Sequence, residues 1–367
     1  MFLRRLTLQN FRNHTETDLT FKSKLIFFIG NNGEGKTNIL ESISILSLLK
    51  SFRESDEDQV LKWDSDFTFL RAEFESRGED FLFEYGIQKQ GIKRKRIKIN
   101  GEVIKKVADS IGFFKSVILC PPDLAIIEAG NQERRKFIDS FISSHNQTYL
   151  QNIIEYQRLL KQRNSALKKE NPSVQEIEIW NEPLVERDAQ IRKERQKIIS
   201  ELSIYFSKNL STLSNGKDNF DIFYKPNVSS EQEHREKLIK NLKKDMAIGY
   251  TSCGSHRDDI PIGTQERDLS HFGSQGQKRS AVIAMKTASF QWTKENTGEA
   301  PVLLIDDIIR ELDVKRREYF VELISGCDQA FFTTTDLEGI KDYIGSLDFE
   351  REIYEIESGS VKRRIEL

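Results

Sequence analysis

Hydrophobic and polar positions alternate, or aromatic residues cluster, along four short segments of the first 125 residues. This pattern predicts β-strands, because successive side chains of a strand point to opposite faces. The dipeptide Asn100-Gly101 follows the last of these segments and is typical of a tight hairpin turn. The predicted strands are residues 2–9, 69–75, 81–88 and 94–99.

From about residue 131 the apolar residues recur with the spacing of an amphipathic helix. This pattern covers 134–168 and, after Asn171-Pro172, returns in 180–206. Two such stretches predict long helices packed as a short antiparallel arm. A longer coiled coil is not expected, because the pattern ends near Gly216.

After about residue 247 the chain returns to alternating helices and strands. Val302–Ile305 and Gln329–Thr333 are continuous apolar runs that each follow a helix, which predicts buried parallel strands. The predicted fold class is therefore α/β, a mixed sheet with helices plus an antiparallel β subdomain, with an inserted helical lobe. We expect a head formed by residues 1–130 and 247–367 and an arm formed by residues 131–246.

A phosphate-binding loop, G-x-x-x-x-G-K-T, lies between the apolar segment Lys24–Ile29 and a helix that begins near Asn38. Its glycines let backbone N–H groups surround phosphate oxygens, and the helix N-terminus adds a positive dipole end. Lys36 can reach the β- and γ-phosphates, and the Thr37 hydroxyl can ligate Mg²⁺. The alternative is a glycine-rich turn without a ligand. We expect nucleoside triphosphate binding by Gly30, Asn31, Asn32, Gly33, Glu34, Gly35, Lys36 and Thr37.

Composition limits the function classes. The 367 residues include 37% hydrophobic and 31% charged residues with a net charge of −2, so nucleic-acid contacts require local basic patches. The three cysteines lie far apart in the sequence and lack the spacing of metal ligands, which indicates reduced thiols with a mostly structural role. The sequence shows no signal-peptide pattern and no apolar run of membrane-spanning length. We therefore expect a cytoplasmic protein that does not enter the membrane.

The apolar run that starts at Val302 ends in two acids, Asp306 and Asp307. A carboxylate at this place can hold Mg²⁺ opposite the phosphate loop, and we expect Asp306 to do so. Asp307 can accept a proton from the attacking water and is the predicted catalytic base, with Lys36 as the second catalytic residue. The alternative for Asp307 is a helix N-cap or a solvated charge.

Ser274-Gln275-Gly276-Gln277 precedes a helix, where free N–H groups favour an anion. With the acidic strand downstream, it resembles the signature motif of ABC-type ATPases. That resemblance implies two heads that sandwich two nucleotides, with Ser274, Gly276 and Gln277 of one head completing the partner's site. Glu311-Leu312-Asp313 resembles the D-loop of the same superfamily.

The order and spacing of the motifs resemble the bacterial RecF family nearly from end to end. The resemblance implies an ABC-type, SMC-like head with a short arm, which dimerises with ATP on single-stranded or gapped DNA. It also implies RecR- and RecO-type partners, help in loading the recombinase, and roles in replication and the SOS response. The motifs are Leu8–His14, the phosphate loop with Thr37–Glu41, Ser51–Arg53, Ile99–Gly101, Pro122–Leu124 with Arg134-Arg135, His256–Asp259 and Ser274–Gln277.

Several positions differ from the wider ABC superfamily. The segment Cys120–Asp123 has no Q-loop glutamine, Thr333–Thr335 replaces the switch histidine, and Asp307 is shorter than the usual glutamate. These differences argue against a transporter motor and favour slow, switch-like ATP hydrolysis, and we expect a weak ATPase activity that DNA stimulates. Within the RecF family, Ser255 replaces a proline before His256, which weakens any role for that loop.

Arg12 and Asn13 match the position from which SMC-type heads contact the nucleotide; the alternative is a solvated turn. The segment His256-Arg257-Asp258-Asp259 has the start of a protein-kinase catalytic loop. Gly263 stands where that motif needs asparagine, and the phosphate loop is of another type, so a kinase is rejected. A metal site there is less favoured than salt bridges or contacts between lobes.

The best candidate DNA surface is a basic cluster at 93–98, with Lys105 and Lys106 across the hairpin. The alternative is an edge strand protected by charge. Further candidates are Arg134, Arg135 and Lys136, and in the arm Lys168 and Lys169.

Rival functions remain open at this stage. An SMC head would need a long coiled coil, which the sequence does not show. An OLD-type nuclease would need an additional acidic metal-binding domain, for which no residues remain. Another SMC-like repair ATPase, or an ATP-binding adaptor without turnover, is still compatible with the sequence.

Overall fold

The computed structural model describes residues 1–53, 57–89, 94–308, 314–335 and 349–366. The chain divides into two compact units. The first comprises Met1–Leu124, Asn209–Lys217 and Arg279–Leu367, and the second Ala125–Lys208 and Asp218–Lys278. The expected boundary at residue 247 falls inside the second unit. Residues 221–222 pair with residues 262–263 across that position, and Asp258 forms a buried ion pair with Arg195 of an earlier helix.

Strands and helices alternate irregularly along the chain. The strands are β1 (Phe2–Phe11), β2 (His14–Thr20), β3 (Leu25–Ile29), β4 (Phe67–Ser76), β5 (Glu79–Gln88), β6 (Arg94–Ile99), β7 (Glu102–Val103), β8 (Ser116–Leu119), β9 (Asp221–Ile222), β10 (Ile262–Gly263), β11 (Val302–Asp306), β12 (Ala330–Thr334), β13 (Arg351–Glu357) and β14 (Ser360–Glu366). The helices are α1 (Lys36–Leu48), α2 (Ala125–Glu128), α3 (Asn131–Ser143), α4 (Gln147–Leu167), α5 (Val174–Glu178), α6 (Asn181–Ser214), α7 (Glu231–Lys240), α8 (Leu242–Ile248), α9 (Leu269–Phe272), α10 (Gln275–Thr297) and α11 (Val314–Ser325).

One sheet of the first unit is antiparallel, with the order β2-β1-β4-β5-β6-β7. It confirms the four strands predicted from alternation. Asn100 and Gly101 form the turn between β6 and β7 with positive φ of 51° and 85°, as the dipeptide predicts. Strand β2 was missed because most of its residues are polar, although His14 and Thr17 are buried.

The other sheet has the order β14-β13-β3-β12-β11-β8, and its strands from β13 to β8 are parallel. This confirms the prediction that the apolar runs at Val302 and Gln329 form buried parallel strands. Because β3, β11 and β12 are parallel, their carboxyl ends lie at one edge of the sheet, where α/β folds bind ligands.

The second unit contains the long helices predicted from helical spacing. The first predicted stretch is two helices, α3 and α4, because Asn146 starts a new helix by accepting a hydrogen bond from the N–H of Tyr149. Helices α4 and α6 run antiparallel, since Arg195 contacts Tyr149 (3.3 Å) while Arg163 contacts Asn181 (3.0 Å). No helix in the described ranges has a stretch apolar and long enough to cross a bilayer.

Polar groups of the second unit are buried in pairs. Arg163 donates to Asp245 at 2.9 Å, and both side chains are fully buried. Arg195 joins Asp139 (2.9 Å) to Asp258 (2.7 Å). Such pairs tolerate burial only because each charge has a partner.

Arg134 is part of this buried polar interior. Its guanidinium is 1% exposed and donates to both carboxylate oxygens of Asp268 and to the carbonyls of Ile126 and Ile127. The expectation that Arg134 contacts DNA is therefore wrong, because its donors are already used inside the protein.

The loop that contains His256 and Asp258 has a structural role. The Tyr156 hydroxyl lies 2.8 Å from His256 Nδ1, and His256 Nε2 lies 3.0 Å from the carbonyl of Thr251. Asp258 accepts from Arg195 and from the Tyr224 hydroxyl (2.6 Å). Both ring nitrogens of His256 and the Asp258 carboxylate therefore have partners within the fold, and Arg195–Asp258 is a salt bridge of the kind expected for this segment.

The three cysteines are buried free thiols. Burial raises the pKa of Cys253 and Cys327 to about 12. Thiols this far from ionisation are unreactive at neutral pH, as expected for structural cysteines.

We predict that His256 makes the stability of the protein pH-dependent. Burial lowers the pKa of His256 to about 4, whereas an unfolded histidine titrates near about 6.5. Between these values the unfolded chain binds more protons, so stability falls as the pH is lowered. We expect this residue to reduce the free energy of unfolding by about 2 kcal/mol from pH 7 to pH 5.

Urea unfolding at both pH values, followed by circular dichroism, tests this expectation. His256→Gln should show a smaller difference between pH 7 and pH 5 than the wild type. His271→Gln is the control, because His271 is exposed. An unchanged pH dependence in His256→Gln would contradict the prediction.

Candidate nucleotide-binding site

The phosphate loop connects β3 to α1 at the carboxyl edge of the parallel sheet. Helix α1 begins at Lys36, directly after Gly35, whose φ of 109° only glycine adopts readily. The apolar face of α1 is fully buried and fixes the helix against the first unit's core; it includes Ile39, Leu40, Ile43 and Leu46. The loop is therefore held at both ends by buried elements.

At two positions of the loop, close contacts leave no space for a side chain, so glycine is needed there. A Cβ at Gly30 would lie 2.3 Å from the carbonyl oxygen of Ile356 in β13, and φ of Gly30 is 151°. A Cβ at Gly35 would lie 2.6 Å from the side-chain oxygen of Asn13. Gly33 also has a positive φ, 87°, but its Cβ would meet nothing within 4 Å. The loop is thus packed at both ends and open in the middle.

The Lys36 side chain folds back over the loop. Its Nζ donates hydrogen bonds to the carbonyls of Gly30 and Asn31, both at 2.8 Å. The ammonium group is therefore placed at the loop itself, where it can neutralise an anion that the loop binds.

The acidic strand β11 ends beside the first turn of α1. The Thr37 hydroxyl donates to Asp306 Oδ1 at 2.7 Å, and the Thr333 hydroxyl donates to the same oxygen at 2.7 Å. The Thr333 oxygen also accepts from the N–H of Asp307 (3.1 Å). Burial raises the pKa of Asp306 above its ordinary value. The hydrogen bonds from the two hydroxyl groups lower this pKa, but the effect of burial is larger.

Thr333 was not singled out as a site residue from the sequence. The only signal was its place at the end of the strand after the acidic one, where other superfamily members continue to a switch histidine. Glu311-Leu312-Asp313, which resembles a D-loop, lies outside the described residues.

A cleft of about 580 Å³ opens over the loop. Volumes of this size are usual for small-molecule sites. The cleft brings together most of the predicted residues of the first unit, including the acidic Asp307, and adds residues that the sequence did not indicate. It is lined by Arg12, Asn13, Asn32, Gly33, Gly35, Lys36, Thr37, Asn38, Arg53, Gln59, Leu61, Lys62, Trp63 and Asp307.

Arg12 and Asn13 are fixed in the wall of the cleft. The Arg12 guanidinium forms a two-point ion pair with the fully buried Glu41 of α1, at 2.9 and 2.6 Å. Asn13 donates to the carbonyl of Glu34 (3.0 Å) and accepts from Asn38 (2.8 Å). The turn after β1 therefore contacts both the loop and the helix that follows it.

A C-terminal hairpin also supports the phosphate loop, and no pattern in the sequence predicted this contact. The N–H of Gly359 donates to the carbonyl of Glu34 (2.9 Å), and the N–H of Ser358 donates to the Glu34 carboxylate. His14 lies under the loop with Nε2 3.1 Å from the carbonyl of Gly35, and burial lowers its pKa. The contacts of the hairpin with Glu34 join segments more than 300 residues apart.

The signature-like segment belongs to the second unit, where it caps α10. The N–H of Ser274 donates to the Gln277 side chain (2.9 Å), and the N–H of Gln277 donates to the Ser274 hydroxyl (3.3 Å). This reciprocal pair is a capping box. Gly276 lies in the first helical turn, and the Gln277 amide also donates to Asp218 (2.7 Å).

We predict that Gly30→Ala destabilises the ligand-free protein more than Gly33→Ala. Both changes place a side chain at positive φ, which costs about 1–2 kcal/mol. Only the first also collides with backbone, at Ile356, which adds about 1–3 kcal/mol. Thermal unfolding without nucleotide measures the difference, and equal losses in the two variants would show that the hairpin does not press on the loop.

The comparison with known proteins gives a consistent result. The family model described as RecF/RecN/SMC N terminal domain matches residues 2–342. A protein of Leptospira biflexa serovar Patoc, named DNA replication and repair protein RecF, is 65% identical and is covered over 99% of both chains.

Solved structures are similar over the same length. The structure titled "Structure of the recombination mediator protein RecF-ATP in RecFOR pathway" has a TM-score of 0.89 at 31% identity, covering 100% of this chain and 97% of that chain. An Smc head domain derived from Pyrococcus furiosus, 15% identical, has a TM-score of 0.55 over 100% of this chain and 96% of that chain, and shares the fold alone.

These similarities confirm the predicted ATPase-head fold class and the resemblance seen in the motifs. The family match covers most of the chain, and the identity of 65% extends over 99% of both chains. The chain therefore belongs to the RecF family of the RecF/RecN/SMC N-terminal domain proteins.

Proposed function

We propose that this protein binds ATP and DNA in recombinational repair, and that its ATP-bound heads dimerise on single-stranded or gapped DNA to help load the recombinase. The observation that carries the proposal is the Thr37–Asp306 hydrogen bond of 2.7 Å, which places the phosphate loop against the acidic strand. A relative of 31% identity is titled as a complex with ATP in the RecFOR pathway.

The residues at the phosphate loop, in the cleft and directly beside it, fit a magnesium–triphosphate group. A threonine hydroxyl and a carboxylate are oxygen donors of the kind that Mg²⁺ prefers, and Thr37 and Asp306 present them side by side. Mg²⁺ supplies charge neutralisation to the β- and γ-phosphate oxygens. The loop N–H groups from Gly30 to Thr37 would bind the phosphates, and Lys36 would exchange its two carbonyl partners for phosphate oxygens.

Asp307 is proposed to position or deprotonate the attacking water. It lines the cleft and has a φ of 49°, a conformation that its N–H maintains by donating to Thr333. We expect hydrolysis to be slow and to be stimulated by DNA, so that ATP acts mainly as a switch. Arg12 and Asn13 are proposed as further nucleotide contacts from the wall of the cleft.

The second head is proposed to complete the site through Ser274, Gly276 and Gln277. Ser274 is exposed and lies at the N-terminus of a long helix, where the positive end of the helix dipole stabilises an anion. We propose RecR- and RecO-type proteins as further partners, with roles in replication and the SOS response, and a cytoplasmic location.

The DNA surface remains a prediction. In the basic cluster, Lys98 pairs with Glu84 (3.4 Å) and Lys95 lies over the Tyr85 ring (5.2 Å). Lys93 and the side chain of Arg94 lie outside the described residues. Of the arm candidates, Lys169 is exposed but pairs with Glu176 at 2.6 Å.

We predict that Lys36→Ala weakens ATP binding about 10- to 100-fold, because it removes charged hydrogen bonds to the phosphates. ATP-dependent dimerisation should then be lost. Calorimetry measures the affinity, and light scattering with ATP and a gapped duplex measures dimerisation. Lys22→Ala is the control, because this lysine is exposed and lies outside the cleft; normal dimerisation of Lys36→Ala would refute the proposal.

We predict that Asp307→Asn binds ATP normally but hydrolyses it at least about 100-fold more slowly, since it removes the proton acceptor. The dimer should then persist after ATP is added, which light scattering detects over time. Asp66→Asn, an exposed carboxylate outside the cleft, is the matched control. If the wild type shows no hydrolysis with or without DNA, the adaptor function replaces the ATPase function.

A further inference from the structure

Trp63 is unusually exposed for its size. Its side chain is 91% exposed, the highest value among the large apolar residues that the structure describes. An exposed tryptophan of this kind is informative because so much apolar surface is normally removed from water. Trp63 also lines the cleft over the phosphate loop.

The backbone that carries Trp63 is anchored to the wall of the cleft. The N–H of Lys62 donates to the carbonyl of Asn10 (2.9 Å), and the N–H of Arg12 donates to the carbonyl of Val60 (2.8 Å). Leu61 pairs with Phe11 in an antiparallel bridge and is only 5% exposed. The indole therefore projects from a fixed point, next to the turn that carries Arg12 and Asn13.

The lining of the cleft has two chemical characters. The glycine loop, Lys36 and Thr37 offer N–H groups, an ammonium and a hydroxyl, which suit phosphates. Trp63 offers an exposed aromatic plane, which suits no part of a triphosphate. A nucleotide has the same two parts in one molecule, an anionic chain and a flat aromatic base.

We propose that Trp63 stacks on the base of the bound nucleotide and is the residue that distinguishes a nucleotide from a bare polyphosphate. This inference rests on the proposed binding of ATP at the phosphate loop. Stacking on an aromatic side chain tolerates any base, so Trp63 strengthens binding of the nucleotide class without selecting adenine by hydrogen bonds.

The experiment compares two ligands, Mg²⁺–ATP and inorganic tripolyphosphate with Mg²⁺, by calorimetry on the full chain. Trp63→Ala should weaken ATP binding about tenfold and leave tripolyphosphate binding unchanged, since only ATP carries a base. Trp63→Phe should bind ATP nearly as the wild type does, because a flat ring remains. Phe67→Ala is the matched control, since Phe67 is 46% exposed in the same unit but outside the cleft.

Intrinsic fluorescence gives an independent readout. The chain has three tryptophans, and ATP should change the emission of the wild type but not that of Trp63→Phe, which keeps Trp180 and Trp292. Tripolyphosphate should change neither.

The outcomes separate this inference from the proposed function. If Trp63→Ala binds ATP as tightly as the wild type, or loses ATP and tripolyphosphate equally, the stacking role is wrong while ATP binding stands. If the wild type binds neither ligand, the proposed function fails and the stacking role fails with it.

Discussion

The candidate site depends on the hydrogen bonds that the buried carboxylate of Asp306 accepts. One of its oxygens accepts hydrogen bonds from Thr37, after the phosphate loop, and from Thr333, at the end of the neighbouring strand. Three segments distant in sequence are therefore held at a single oxygen atom. Burial disfavours the charged form of the carboxylate, and the hydrogen bonds from the two hydroxyl groups oppose this effect. The carboxylate oxygen and the Thr37 hydroxyl oxygen are also the kind of ligand that a divalent cation prefers.

Close packing then sets the shape of the phosphate loop. The β13–β14 hairpin packs against Gly30, and the turn after β1 packs against Gly35, at the opposite end of the loop. A methyl group at either position would collide with these neighbours. Backbone hydrogen bonds from the hairpin to Glu34 add to this support. The middle of the loop stays open, so the N–H groups that bind phosphate are presented by a backbone whose ends cannot move freely.

The helical unit is stabilised differently, by buried ion pairs rather than by apolar packing alone. Arg163–Asp245 joins helices α4 and α8, and Arg195–Asp258 joins helix α6 to a loop that is far away in sequence. Leaving either charge unpaired would be costly, so these pairs favour one arrangement of the segments over others. Asp258 belongs to a sequence motif that suggested chemistry, yet its hydrogen bonds are all used within the fold.

The sequence by itself determined the parts that depend on local pattern. Alternation predicted most strands, and helical spacing predicted the long helices. The phosphate loop and the acidic strand were predicted from short motifs, because each of these features follows from neighbouring residues. Only the tertiary structure decided that Thr333, the Ser358-Gly359 turn and Trp63 belong to the site's surroundings, and that Arg134 is buried. Those facts depend on contacts between residues that lie from 27 to more than 300 positions apart, which no local period or composition encodes.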